Sequence, residues 1–127
     1  MDRTENTRAA VEKYWASADA RDWDAFGALL AEDVVYELPQ TRERISGKEK
    51  YVQFNREYPG DWRAWTHRIV AEEDGAVSWA KFEVAGESSD AVTFFEVDTD
   101  GRITTVTDFW PESYEPPAGR EHLVEQY

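Results

Sequence analysis

Residues 62–110 carry the sequence WRAWTHRIVAEEDGAVSWAKFEVAGESSDAVTFFEVDTDGRITTVTDFW, and its pattern predicts the architecture of the chain. Apolar and polar residues alternate in four segments, which is typical of half-buried β-strands. The segments lie near residues 62–72, 76–85, 91–98 and 102–110. Turn-forming residues separate them at 73–75, 86–90 and 98–101. Because such short connectors join neighbouring strands, we expect a consecutive antiparallel meander.

The N-terminal half shows the spacing of three helices. An apolar face recurs at helical spacing over about residues 4–20, and Asp22 can cap a second, shorter helix. Ser46 and Glu49 have the spacing of a capping box for a third helix, which Pro-Gly at 59–60 ends. All three predicted helices therefore precede the meander.

One strand interrupts the helices. Residues 34–38 are predicted as a strand that Pro39 ends, and the polar residues 40–45 as a loop. The order helix, helix, strand, helix and four strands predicts an α+β fold, in which a curved antiparallel sheet wraps around the helices and leaves an internal pocket. We expect a single domain over residues 1–127, with 112–127 as an extended acidic tail.

Composition excludes several classes of function. The 127 residues include 14 Lys plus Arg and 27 Asp plus Glu, so the formal net charge is −13, and we expect no nucleic acid or membrane partner. The absence of Cys excludes disulfides and thiolate sites, and two His residues, His67 and His122, cannot form a multi-histidine metal site. With no apolar run long enough for a signal peptide or a membrane span, we expect a cytoplasmic protein that binds no metal.

Three groups of residues resemble the NTF2-like superfamily, in its SnoaL polyketide cyclase branch. They are WDAF at 23–26 followed by LLAEDVVYELP at 29–39, GKE at 47–49, and DFWP at 108–111. The resemblance spans about residues 8–111. It implies a cone-shaped α+β fold with an apolar pocket, commonly a homodimer through the sheet, and chemistry without a cofactor. Members include cyclases, isomerases, dehydratases, epoxide hydrolases and proteins that only bind ligands or other chains.

The resemblance also bears on individual residues. Ketosteroid isomerases carry a basic carboxylate directly before the proline that ends the first strand, where this chain has Leu38. In the cyclase branch an acidic residue near the end of the last strand serves as acid and base, and Asp108 matches that position. The histidine that those cyclases place one strand earlier has no counterpart, since Phe94 and Phe95 lie there.

Asp108 is the leading candidate for catalysis. Alternation along the last strand places it on one face with Val106 and Trp110, so this carboxyl lies between two apolar neighbours. Burial would raise its pKa toward the range that suits proton transfer. A strand-end aspartate that faces solvent is the competing interpretation.

His67 is the second candidate. It lies inside a predicted strand, and alternation places it on the face of Trp65 and Ile69. An imidazole facing the pocket could pair with Asp108 as acid and base. A structural or half-exposed histidine is the alternative.

Tyrosines from three elements could converge on the pocket. Tyr14, Tyr36 and Tyr58 belong to the first helix, the first strand and the third helix, and a phenol can polarise a carbonyl oxygen. Each could equally be a core residue. We assign Tyr14 to catalysis with Asp108 and His67, and the predicted substrate-binding residues are Tyr36, Leu38, Gln40, Phe54, Tyr58, Trp65 and Trp110.

Three hypotheses for function follow. The first is a cofactor-free acid/base enzyme acting on a hydrophobic small molecule that carries a carbonyl or an epoxide. The second is a non-catalytic protein that binds an aromatic or polyketide-like ligand, and the third is a dimerisation module. Because Trp79 would otherwise be exposed beside Lys81 and Glu83, we also expect a homodimer through the sheet.

Overall fold

The computed structural model describes residues 2–127 and contains three helices. They are α1 Arg3–Asp19, α2 Trp23–Ala28 and α3 Lys48–Arg56. Asp2 caps α1 by accepting a hydrogen bond from the backbone N–H of Glu5 at 2.8 Å. Asp22 caps α2 in the same way, at 3.1 Å from the N–H of Ala25. A side-chain acceptor therefore fixes where each of the first two helices begins.

Six strands form one curved, unclosed sheet with the order β2-β1-β6-β5-β4-β3. The strands are β1 Leu30–Leu38, β2 Glu43–Ser46, β3 Arg63–Ala71, β4 Gly75–Val84, β5 Glu87–Val97 and β6 Ile103–Phe109. Strands β3 to β6 pair consecutively and antiparallel, so the predicted meander is confirmed. The predicted fold class is likewise confirmed, with one difference: β1 and β6 run parallel, which makes the sheet mixed.

Three local predictions differ from the structure. The predicted loop at 40–45 contains the short edge strand β2, which folds back antiparallel on β1. The predicted capping box does not form: Ser46 belongs to β2, and the N-cap of α3 is Gly47 without a side-chain hydrogen bond. The third predicted strand segment starts near residue 91, whereas β5 begins at Glu87. The reason is that a turn of only two residues, Ala85 and Gly86, both with positive φ, joins β5 to β4.

The core lies between the helices and the inner face of the sheet. Val11 of α1, Phe26 of α2 and Val34 of β1 are fully buried there. Residues 111–127 follow β6 without helix or strand, and all are exposed. No helix within residues 2–127 is long and apolar enough to cross a bilayer.

Candidate active site

A cavity of about 150 Å³ lies where the helices diverge from the sheet. Its lining is mostly aromatic and comes from α1, α3, β1, β4, β6 and the segment after α3: Tyr14, Trp15, Ala18, Tyr36, Leu38, Tyr51, Phe54, Asn55, Tyr58, Trp62, Phe82, Asp108 and Trp110. A wider depression of about 680 Å³ surrounds the turn between β3 and β4, but its acidic residues, such as Glu72 and Asp74, are exposed. The smaller cavity holds a buried carboxyl, so we take it as the functional site.

Among the residues that the structure describes, Asp108 is the only charged one on the cavity wall. Its side chain is 4% exposed and accepts three hydrogen bonds. Tyr36 donates to Oδ2 at 2.6 Å and Trp110 Nε1 donates to Oδ2 at 3.0 Å, while Thr93 Oγ1 donates to Oδ1 at 2.7 Å. All three donors are neutral, so no cation compensates the charge of the ionised carboxylate.

Burial dominates the ionisation of this carboxyl. Desolvation raises the pKa of Asp108 above its usual range, and the hydrogen bonds from Tyr36, Thr93 and Trp110 offset only part of that rise. A carboxyl with a raised pKa exchanges its proton more readily near neutral pH than an exposed aspartate does. The site therefore holds a group suited to general acid/base chemistry.

The tyrosines of the cavity are hydrogen-bond donors. Burial raises the pKa values of Tyr14, Tyr36 and Tyr51, and the nearby Asp108 carboxylate raises them further. Their phenols therefore stay protonated at physiological pH. The hydroxyls of Tyr14 and Tyr51 hydrogen-bond to each other, and the Tyr51 ring stacks on Tyr36 with centroids 4.5 Å apart.

Most predicted site residues lie on the cavity wall. These are Tyr14, Tyr36, Leu38, Phe54, Tyr58, Asp108 and Trp110. Gln40 does not line the cavity: its Oε1 accepts a hydrogen bond from the backbone N–H of Trp110 at 2.5 Å, so it ties the loop after β1 to the end of β6. Gln40 thus holds the backbone of Trp110, whose indole donates to Asp108.

Two predictions about β3 are wrong. His67 is exposed on the outer face of the sheet, 4.5 Å from the ring of Trp79, and Trp65 is 47% exposed on the same face. Alternation holds as far as His67, but the face that His67 shares with Trp65 is the outer one, because the buried residue of this segment is Ala64. The β-bulge between Thr66 and Arg68 changes the alternation only after this point, so Ile69 packs on the core side instead. His67 therefore cannot pair with Asp108.

Sequence reasoning missed Thr93 and Tyr51. Thr93 lies directly opposite Asp108 in the register of β5 and β6, which depends on an irregularity near Val97 that the sequence does not reveal. Tyr51 had a detectable signal, because it shares a helical face with Phe54 and Tyr58. Among residues 2–127, no group of three or more His, Cys, Asp or Glu side chains could hold a metal ion.

Comparison with known proteins agrees with this geometry. Residues 11–106 match the SnoaL-like domain. A protein from Kribbella flavida, provisionally described as a ketosteroid isomerase, is 51% identical with a TM-score of 0.96, and the match covers 100% of this chain and 93% of that one. An NTF-2 like protein of unknown function from Burkholderia xenovorans is 25% identical, with a TM-score of 0.84 and coverage of 98% of both chains.

A third solved structure is an enzyme by name. The LEH-like epoxide hydrolase of M. tuberculosis is 26% identical, with a TM-score of 0.71 and coverage of 85% of this chain and 84% of that one. No curated protein matches the chain. The NTF2-like, SnoaL-like resemblance expected from the sequence is confirmed.

Proposed function

Because this chain belongs to the SnoaL-like domain family, we propose that it is a cytoplasmic, cofactor-independent enzyme that moves a proton on a small hydrophobic molecule carrying a carbonyl or an epoxide. The observation that carries the proposal is the buried carboxyl of Asp108, which lines an aromatic cavity with neutral donors and no counter-cation. The names of the Kribbella and M. tuberculosis proteins, an isomerase and a hydrolase, are compatible with such chemistry.

In the proposed mechanism Asp108 is the acid/base group. It removes a proton from the substrate and returns it at another atom. The hydroxyl of Tyr36 donates its one proton to Oδ2 while Asp108 is ionised, and once Asp108 has taken the substrate proton the same O–H can turn to the negative charge that develops on the substrate oxygen. The pair formed by Tyr14 and Tyr51 supplies further hydroxyl groups at the same wall.

The test is Asp108→Asn. The amide oxygen can accept from Trp110 and Tyr36, and the amide NH₂ can donate to the Thr93 hydroxyl, which is free to accept. The variant should therefore fold. We expect it to lower proton-transfer activity by ~10²–10⁴-fold. The assay follows incorporation of solvent deuterium into cyclohexanone by mass spectrometry.

Asp33→Asn is the matched control, because Asp33 is an exposed carboxylate on β1 and the change removes the same charge. It should leave the exchange rate unchanged. Wild-type exchange no faster than that of Asp108→Asn would overturn the enzymatic proposal. The protein would then be a non-catalytic ligand-binding protein, for which the aromatic lining of the cavity is equally suitable.

For partners we propose a homodimer through the outer face of the sheet and no binding to nucleic acid or membranes. The outer face exposes Trp65 at 47%, Trp79 at 40% and Phe94 at 47%, which is a large aromatic area to leave in water. The formal net charge of −13 opposes contact with phosphates. Light scattering at micromolar concentration should give twice the chain mass, and Phe94→Asp should give a monomer. A monomeric wild-type protein would contradict the proposal.

A further inference from the structure

We infer that the cavity admits uncharged ligands of about one six-membered ring, and that the Phe54 side chain sets this limit. The inference rests on the proposed function in that it concerns the same site. The cavity encloses about 150 Å³. An apolar cavity of roughly that volume accommodates benzene, whereas pockets for drug-sized ligands enclose ~300–1,000 Å³. A four-ring steroid is far larger than this space.

Packing and hydrogen bonds hold the aromatic side chains of the cavity wall in place. Tyr51 is 1% exposed, Tyr14 is 3% exposed, and their hydroxyls are hydrogen-bonded. On the opposite side Trp62 stacks on Phe82 with centroids 5.5 Å apart, and the guanidinium of Arg21 lies 3.6 Å from the centre of the Trp62 ring. Displacing side chains that are packed in this way to admit a larger ligand would lower the stability of the protein.

Phe54 lies on the cavity wall between the buried Tyr51 and the exposed Tyr58. It follows Tyr51 by one helical turn, and their rings are stacked with centroids 6.5 Å apart. Toward solvent it meets Tyr58, edge to face at 6.3 Å, and Tyr58 is 44% exposed. Removing the Phe54 ring should enlarge the cavity. It should leave the carboxyl of Asp108 unchanged, because the three donors to this carboxyl are Tyr36, Thr93 and Trp110.

The charge of the cavity selects the ligand as well. Within residues 2–127, Asp108 is its only charged lining residue, and no Lys, Arg or His belongs to the wall. An anion would meet a buried carboxyl with no cation to compensate it, so anionic ligands are rejected. A neutral hydroxyl or carbonyl can instead use the carboxyl and the Tyr36 hydroxyl as hydrogen-bond partners.

The experiment uses a series of phenols with one polar head and increasing size: phenol, 2-naphthol and the four-ring estradiol. Calorimetric titration of the wild-type protein should show binding that weakens from one ring to two, and no binding of the steroid. Phe54→Ala should keep phenol binding and strengthen 2-naphthol binding by about tenfold, because the second ring then buries on the order of 50 Å² more apolar surface. Val52→Ala is the control, since Val52 is half-buried on α3 and does not line the cavity.

Several results would overturn the inference. One is estradiol binding to the wild-type protein as tightly as phenol, another is the absence of phenol binding, and a third is an equal gain for 2-naphthol in Phe54→Ala and Val52→Ala. Thermal melting of each variant checks that it is folded. This outcome can be distinguished from that of the proposed function. Phenol binding that depends on ligand size, without deuterium exchange, would contradict the enzymatic proposal and support the size limit.

Discussion

The hydrogen bond from Thr93 to Asp108 provides a quantitative test of the buried carboxyl. Thr93 is fully buried, and Thr93→Val keeps its shape while removing the hydroxyl that donates to Oδ1 at 2.7 Å. Loss of a hydrogen bond to an ionised group costs about 1.5–3 kcal/mol, and loss of a neutral one about 1 kcal/mol. The cost of the substitution should therefore depend on whether Asp108 is ionised.

The sign of the pH dependence follows from the raised pKa of Asp108. Because its pKa is higher in the folded than in the unfolded state, the carboxyl contributes stability in acid that is lost as the pH rises through the folded pKa. Thr93→Val removes a bond that favours the ionised form and raises this pKa further. The loss in free energy of unfolding should be about 1 kcal/mol where Asp108 is protonated and grow to about 1.5–3 kcal/mol where it is ionised.

Urea unfolding at several pH values, at one protein concentration, measures the loss in free energy of unfolding both where Asp108 is protonated and where it is ionised. In an Asp108→Asn background the effect of Thr93→Val should stay near ~1 kcal/mol at every pH, since the amide does not titrate. Thr107→Val is the control because Thr107 is half-buried on the outer face of the same sheet, and it should change stability by less than ~0.5 kcal/mol. A loss that is equal at all pH values and in both backgrounds would refute an ionisable, hydrogen-bonded Asp108.

Two further predictions concern the scaffold. Asp19 accepts hydrogen bonds from the Arg63 guanidinium at 2.8 and 2.9 Å, and these bonds lower the pKa of Asp19. Asp19→Asn should therefore have a lower melting temperature than the wild type at neutral pH, and the difference should shrink as acid protonates the wild-type carboxyl. A difference in melting temperature that is the same at every pH would contradict this. Gly75→Ala should destabilise the sheet, because a Cβ there would lie 2.7 Å from the carbonyl oxygen of Phe95, and unchanged urea unfolding would contradict that contact.

The sequence predicted Asp108 well because the second half of β6 is regular. The irregularity of this strand lies between Ile103 and Thr105, and from Val106 onward the alternation is unbroken, so Val106, Asp108 and Trp110 share the inner face. On β3 the rule kept His67 and Trp65 on one face, but the bulge places Ile69 on the opposite face, so Trp65 and Ile69 together did not mark the inner side. A bulge depends on how two strands fit together, and one strand's sequence does not contain that information.

The partners of the carboxyl were harder to predict than the carboxyl itself. Thr93 meets Asp108 through strand register, and Tyr36 reaches it from a strand that runs parallel to β6. The parallel pairing joins elements far apart in the chain, and no local pattern specifies it. The edge strand β2 was missed because Glu43 and Arg44 are exposed charges, which are common on sheet edges and resemble loop residues.

The position of His67 on the outer face also limits the chemistry available to the cavity. With His67 outside, Asp108 is the only carboxyl among the described lining residues and burial raises its pKa, whereas the pKa values of Tyr14, Tyr36 and Tyr51 are raised above the already high value of a phenol. A single carboxyl that accepts a proton must release it before the next turnover. Reactions that return the proton to the same molecule, such as isomerisation or ring closure, meet this requirement with one group, whereas hydrolysis uses a water as well as both a base and an acid. Within the proposed class, the geometry therefore favours proton relocation over hydrolysis.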